Sequence, residues 1–182
     1  MTPTPRRVLI ACARERHAVI LHKTDGRGQP LGAMPLWLDR GGQHVLAVTW
    51  TTAGDAVTYR LQHLRPEDWH VDEGKRPAPV PPIDLHSGVP VTSPASRIEA
   101  LALVARAELP CQVHYHKPGA SAEWRLLERL ALRDNRVVAA DVVKGAPRSF
   151  TYERIKGVRL LPHDLDQAPR WQDGGYSRGG AA

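Results

Sequence analysis

The stretch CQVHYHK, residues 111–117, gathers a cysteine, two histidines, a tyrosine and a lysine. Such a set could hold a metal, build an acid–base pocket, or form one strand of a sheet. In extended backbone, successive side chains alternate faces. His114 and His116 then point one way and Cys111, Val113 and Tyr115 the other. Zinc needs thiolate and imidazole to converge, usually from C-x2-4-C and H-x3-5-H spacings. No C-x-x-C is present, and the other cysteine is Cys12. The spacing argues against a metal site and for a half-buried strand, with Val113 and Tyr115 inward and His116 and Lys117 near its surface end. HAVILHK, residues 17–23, offers a similar pair, His22 and Lys23.

The arginines suggest a different chemistry. Guanidinium holds phosphate bidentately and stacks on bases. Arg148 and Arg154 lie in RSFTYERI. If that segment is extended, they share a face with Phe150 and Tyr152. The same pattern also fits core aromatics flanked by solvated arginines paired with Glu153 or Asp141. A second set is Arg125, Arg129, Arg133 and Arg136. Over 125–133 alternation puts Arg125, Leu127, Arg129, Ala131 and Arg133 on one face. That face reads either as a phosphate track or as an outward solubilising face near Glu123 and Glu128. Arg60, in AVTYRLQHL, completes the basic candidates. There is no G-x-S-x-G, P-loop, H-E-x-x-H or G-x-G-x-x-G motif, so the expectation is a non-enzymatic binding protein without a cofactor.

Composition agrees with an anionic partner. The 182 residues carry a formal charge of +6 and a pI near 9.7, and nucleic acid is the commonest polyanion. Two cysteines and no secretory segment point to a reducing, cytoplasmic setting. The apolar part of MTPTPRRVLIACARER is too short to cross a bilayer, and no membrane association is expected.

The elements that must position these residues come in two sets. TPRRVLIACARERHAVILHK, MPLWLDRGGQHVLAV and AVTYRLQHL precede a proline-rich stretch. SRIEALALVARAELPCQVHYHK, RLALRDNRVVAAD and RSFTYERIKGV follow it. Lys23 aligns with Lys117, His22 with His116, Leu38 with Leu132, and Tyr59, Leu61 and Leu64 with Phe150, Tyr152 and Ile155. The order is the same in both, which reads as a duplication. Each copy is a helix followed by short strands. Thr4 caps the first helix with Pro5 at its first position. Ser96 and Glu99 form a capping box for the second, whose apolar stripe is Ile98, Leu101, Ala102, Ala105 and Leu109, and Pro110 stops it. Strands are expected at 17–23, 34–39, 44–50 and 56–62, and at 111–117, 125–133, 136–143 and 148–153. Glycines or Asn135 supply positive φ in the turns. The expected division is unit 1 at 1–71, a linker at 72–95, unit 2 at 96–162 and a glycine-rich tail at 163–182. The fold class is α+β, mainly β: two tandem units, each an N-terminal helix and a small antiparallel barrel.

Three stretches of the second unit resemble the WYL domain, a ligand-sensing module of bacterial transcription regulators. VHYHK resembles that family's first strand, RVVAAD stands where its aromatic strand lies, and RSFTYERI resembles its closing R-x-F-x-L-x-R-I motif. The W-Y-L tripeptide itself is absent, and Tyr152 stands in place of the usual leucine. In the first unit Val57 and His63 occupy the two arginine positions. The resemblance implies a helix plus an Sm-like or SH3-like barrel that binds nucleic-acid fragments or nucleotide-like ligands through basic and aromatic residues. It implies a role in transcription regulation or the DNA damage response. The helix-turn-helix reader that usually precedes such a domain is missing: one helix stands before the first strands, not three. The expected partner is single-stranded DNA or RNA, bound by Arg148, Arg154, Tyr152, His116, Lys117, Arg125, Arg129, Arg136, His22, Lys23 and Arg60. The alternatives are a homodimerising or protein-interaction scaffold and a sensor of a small nucleotide ligand.

Overall fold

The structure is a computed structural model that describes residues 4–72 and 83–160. The chain divides into two compact units, Met1–Pro82 and Ile83–Ala182.

Unit 1 begins with α1 (Pro5–Glu15). Pro5 opens it because a first-turn N–H has no intrahelical partner to lose. Thr4 is the N-cap residue, without a side-chain cap bond, and Arg16 ends the helix at φ 55. The strands are β1 (Val19–Lys23), β2 (Leu31–Leu38), β3 (Val45–Ala53), β4 (Ala56–Leu64) and β5 (Trp69–Val71). A 3-10 turn, Pro66–Asp68, joins β4 to β5. The sheet is an antiparallel meander whose last strand returns beside the first, in the order β4-β3-β2-β1-β5. Leu9 of α1 closes a core with Val19, Leu21, Leu31, Ala33, Val45, Ala47 and Leu64.

Unit 2 takes the same path. α2 (Pro94–Arg106) precedes β6 (Cys111–His116), β7 (Ala122–Leu132), β8 (Arg136–Asp141), β9 (Ala146–Thr151) and β10 (Ile155–Arg159). A 3-10 turn, Tyr152–Arg154, again joins the fourth strand to the fifth. The order is β10-β6-β7-β8-β9. Leu101, Val104, Cys111, Val113, Leu127, Val137, Ile155 and Val158 are fully buried.

The mainly-β, α+β class holds, and several details differ from expectation. Both sheets are open, and no closed barrel forms among the described residues. Closure would need the fifth strand to pair with the fourth as well as the first, and β5 has three residues, paired with β1 alone. Ser96 and Glu99 do not form a capping box: the helix starts two residues earlier, at Pro94 with Ser93 as N-cap, and both side chains are buried inside it. It also ends before Pro110, where Glu108 turns left-handed at φ 55. The end of the expected 72–95 linker belongs to unit 2, because Val91 bridges Val158. Gly42, Gly54 and Gly145 supply positive φ in three of the turns, but Asn135 does not. The fifth strands were not anticipated. Residues 73–82 and the tail from 161 lie outside the described residues. No helix among those described is long and apolar enough to cross a membrane.

Candidate nucleic-acid interface

In unit 1 the end of β1 meets the start of β5: Lys23 is the cross-strand partner of Trp69. The Lys23 ammonium stands 5.8 Å from the indole centroid, within cation–π range. His63 and Leu64 close β4, and His44 immediately precedes β3. With Gln62, Arg65 and Asp68 these residues line a cleft of about 320 Å³. His44 is positioned from behind. Its Nδ1 lies 3.0 Å from Asp39 Oδ2, while Oδ1 accepts the backbone N–H groups of Gln43 and His44 at 3.0 and 3.2 Å. An ionised carboxylate can only accept, so Nδ1 carries the hydrogen and Nε2 is left for other contacts. Against a desolvation cost, these same bonds from His44 and Gln43 hold the Asp39 carboxyl below its usual value. The His63 ring stands edge-on to His44, centroids 6.4 Å apart. Arg65 meets Glu67 at 3.4 Å, but both side chains are about 60% exposed, and such a pair is weak.

Unit 2 carries the equivalent rim by register. Leu64 and Phe150 sit opposite Val45 and Val137, the first inward residue of each third strand. Gln62 opposite Ala47 corresponds to Arg148 opposite Ala139. The two 3-10 turns match, so Asp68 corresponds to Arg154. His44 corresponds to Arg136, each one residue before those valines. Lys23 opposite Trp69 corresponds to Tyr115 opposite Ile155. Arg136, Arg148 and Arg154 are all exposed. This register corrects the sequence alignment: Leu64, not Tyr59, matches Phe150, and Lys23 matches Tyr115 rather than Lys117. Insertions in the hairpins let a short apolar motif slide by a few residues.

Several expected site residues fall elsewhere. Arg148 and Arg154 do not share one extended face, because the chain leaves β9 at Thr151 for the 3-10 turn. Tyr152 is buried and its hydroxyl donates to the Arg133 carbonyl at 2.6 Å. Burial pushes that hydroxyl's pKa up, and no ring face is left for a base. Phe150 is core as well, edge-on to Tyr115 at 5.0 Å. Arg125 shares a face with fully buried Leu127, so that face looks inward. Its side chain, 17% exposed, bonds Asp141 at 3.2 Å, itself 1% exposed, and also meets Glu123. The 125–133 track does not exist: a bulge between Glu128 and Ala131, with Arg129 at φ 53, reverses the alternation and sends Arg133 to the opposite face from Arg125. Arg129 is exposed on that bulge. His116 and Lys117 are exposed at the end of β6, and Arg60 is exposed on β4 outside the cleft. His22 faces away from Lys23 and lies 3.5 Å from Asp72. Cys111 is buried on the face opposite His114, with its thiol pushed up to about 12 by desolvation.

Sequence reasoning did not single out His44, Arg65 or Trp69, and met His63 only as a departure from an arginine. The crowding of His, Arg and Trp in HLRPEDW was the available signal. It also missed Trp124. That ring, 36% exposed, stacks against His114 at 5.0 Å and lies 4.0 Å under the Arg159 guanidinium. Arg159 in turn donates to Gln112 at 2.8 Å. Comparison with known proteins finds no matching family model, no matching curated protein and no matching solved structure.

Proposed function

We propose that this protein binds single-stranded nucleic acid at the rim where the fourth strand of each unit turns into the fifth. The observation that carries the reading is the unit 1 cleft, where Lys23, Arg65, His44 and His63 surround one opening with Trp69 on its wall. Cations that neutralise phosphate beside an aromatic face are what a single strand needs. The exposed Arg136, Arg148 and Arg154 at the equivalent register of unit 2 support a second contact. The same reading takes the units as diverged copies of one WYL-like, Sm-like module, and their common strand order and 3-10 turn support it. The competing reading, a dimerisation or protein-interaction scaffold, draws on Arg125, whose charge is already met by Glu123 and Asp141. A sensor of a small nucleotide ligand would use the same rim.

Fluorescence anisotropy of labelled single-stranded DNA, RNA and duplex across a salt series tests the proposal. Affinity should fall log-linearly with salt, by a slope of about −0.7 per phosphate contacted on single strands. Lys23→Ala/Arg65→Ala and Arg148→Ala/Arg154→Ala should each flatten that slope by about 1.4, two contacts' worth. Absence of binding by a folded sample at low salt would refute it and favour the scaffold.

A further inference from the structure

We infer that the unit 1 cleft takes one terminal phosphate of a nucleotide or strand end, with His44 and His63 as its phosphate ligands. This rests on the single-strand reading and sharpens it to a ligand class.

A groove that tracks a continuous backbone needs fixed cations spread along its length. Here the groups surround one opening of about 320 Å³, at the small end of ligand cavities, which suits a single nucleotide. Two imidazoles share it, and Asp39 occupies His44 Nδ1 from behind. His44 Nε2 is therefore a donor to a ligand only when the ring is protonated. A terminal phosphomonoester carries close to two negative charges near neutrality, with a second ionisation near pH 6, whereas each internal diester carries one. The extra charge favours protonated imidazoles beside it, so binding draws in protons. The other charged groups at the site are Lys23 from β1, Arg65 and Asp68 from the 3-10 turn, and Glu67 on Arg65. Lys23 and Arg65 keep the cleft attractive to any phosphate. The histidines add donors to the phosphate only in their protonated form.

The test compares one short single strand bearing a 5′-phosphate, a 3′-phosphate or hydroxyl ends, at about pH 6 and about pH 8, either side of imidazole titration. A mononucleotide and inorganic phosphate serve as competitors. A phosphorylated end should bind about tenfold tighter at the lower pH, the worth of one charge-assisted hydrogen bond, with a smaller preference at the higher. His63→Asn, at an exposed strand position, should remove the preference, so that phosphorylated and hydroxyl-ended strands bind alike at both pH values. His44→Ala should do the same. Displacement by the mononucleotide assigns the site to free nucleotides too, displacement by inorganic phosphate shows that the phosphate alone suffices, and displacement by neither assigns it to strand ends; each supports the site. Equal binding of phosphorylated and hydroxyl ends at both pH values overturns it, as does a preference that survives both substitutions. Either of those outcomes leaves single-strand binding intact, whereas loss of binding by every strand would remove the broader reading as well.

Discussion

The two units run the same course, helix, four-strand meander, 3-10 turn and returning strand, yet they treat charge differently. Unit 1 gathers Lys23, His44, His63 and Arg65 around an open cleft. Unit 2 commits Arg125 to Asp141 and Glu123 and Arg159 to Trp124 and Gln112. Its remaining rim arginines, Arg136, Arg148 and Arg154, are exposed. A common strand order therefore leaves the chemistry open. For Arg125 what decides it is burial: a cation on the inner face must be paired, whereas water can hold an exposed one.

Four perturbations would break or sharpen this contrast. The largest concerns the shared frame. Leu9 and Leu101 are both fully buried on the helix that precedes each sheet. Leu9→Ala and Leu101→Ala should each cost about 2–5 kcal/mol by chemical denaturation. A cost under about 1 kcal/mol at one site would show that the helices are not equivalent in packing.

Next is the ion-pair contrast. Asp141→Ala leaves Arg125, on the inner face, with only the exposed Glu123 and removes the acceptor for the Lys144 N–H at 3.1 Å. It should cost about 3 kcal/mol. Glu67→Ala, which breaks the exposed Arg65 pair, should cost less than about 1 kcal/mol. Equal costs would erase the distinction between committed and open cations.

Third, each unit seats a tryptophan over a glycine, but with different clearance. A Cβ on Gly32 would fall 2.1 Å from the Trp50 ring, whereas one on Gly157 would stand 3.4 Å from Trp124. Gly32→Ala should cost about 1–3 kcal/mol, as overpacking does, and shift tryptophan emission. Gly157→Ala should cost less than half as much.

The smallest effect is in pH dependence. Asp39's folded pKa lies below its unfolded value, so its contribution is present above pH of about 4 and is lost as acid protonates it in the folded state. Cys111 runs the other way. Burial pushes it up to about 12 from an ordinary thiol value of 9.0, so stability is complete below pH 9 and is lost as pH rises from there toward 12. Asp39→Asn should flatten the acid limb of the stability curve and Cys111→Ala the alkaline limb. Unaltered limbs would remove these groups as sources of the asymmetry.

Much of the fold was legible in the chain. Apolar alternation in CQVHYHK placed Cys111 and Val113 inside and His116 outside, as found, because side-chain period follows from local backbone geometry. The helix stripe Ile98, Leu101 and Ala102 was legible for the same reason. The site was legible only in part. Arg136, Arg148, Arg154 and Lys23 were chosen for charge and spacing, and register gathers them at equivalent rims. Tyr152 was misjudged because one 3-10 turn moves a residue from strand surface to core. Arg125 and Arg133 were misjudged because a single bulge residue inverts a two-residue period.

By itself the sequence determined the two-part order of helix then strands, the basic balance and the inward faces of regular strands, since each depends on residues close in the chain. The tertiary structure alone decided that the sheets stay open, that the fifth strand returns beside the first, and that His44, His63, Lys23 and Trp69 line one cleft. These depend on pairings between residues far apart in the chain, whose register is set by bulges, turns and side-chain burial that no short stretch encodes.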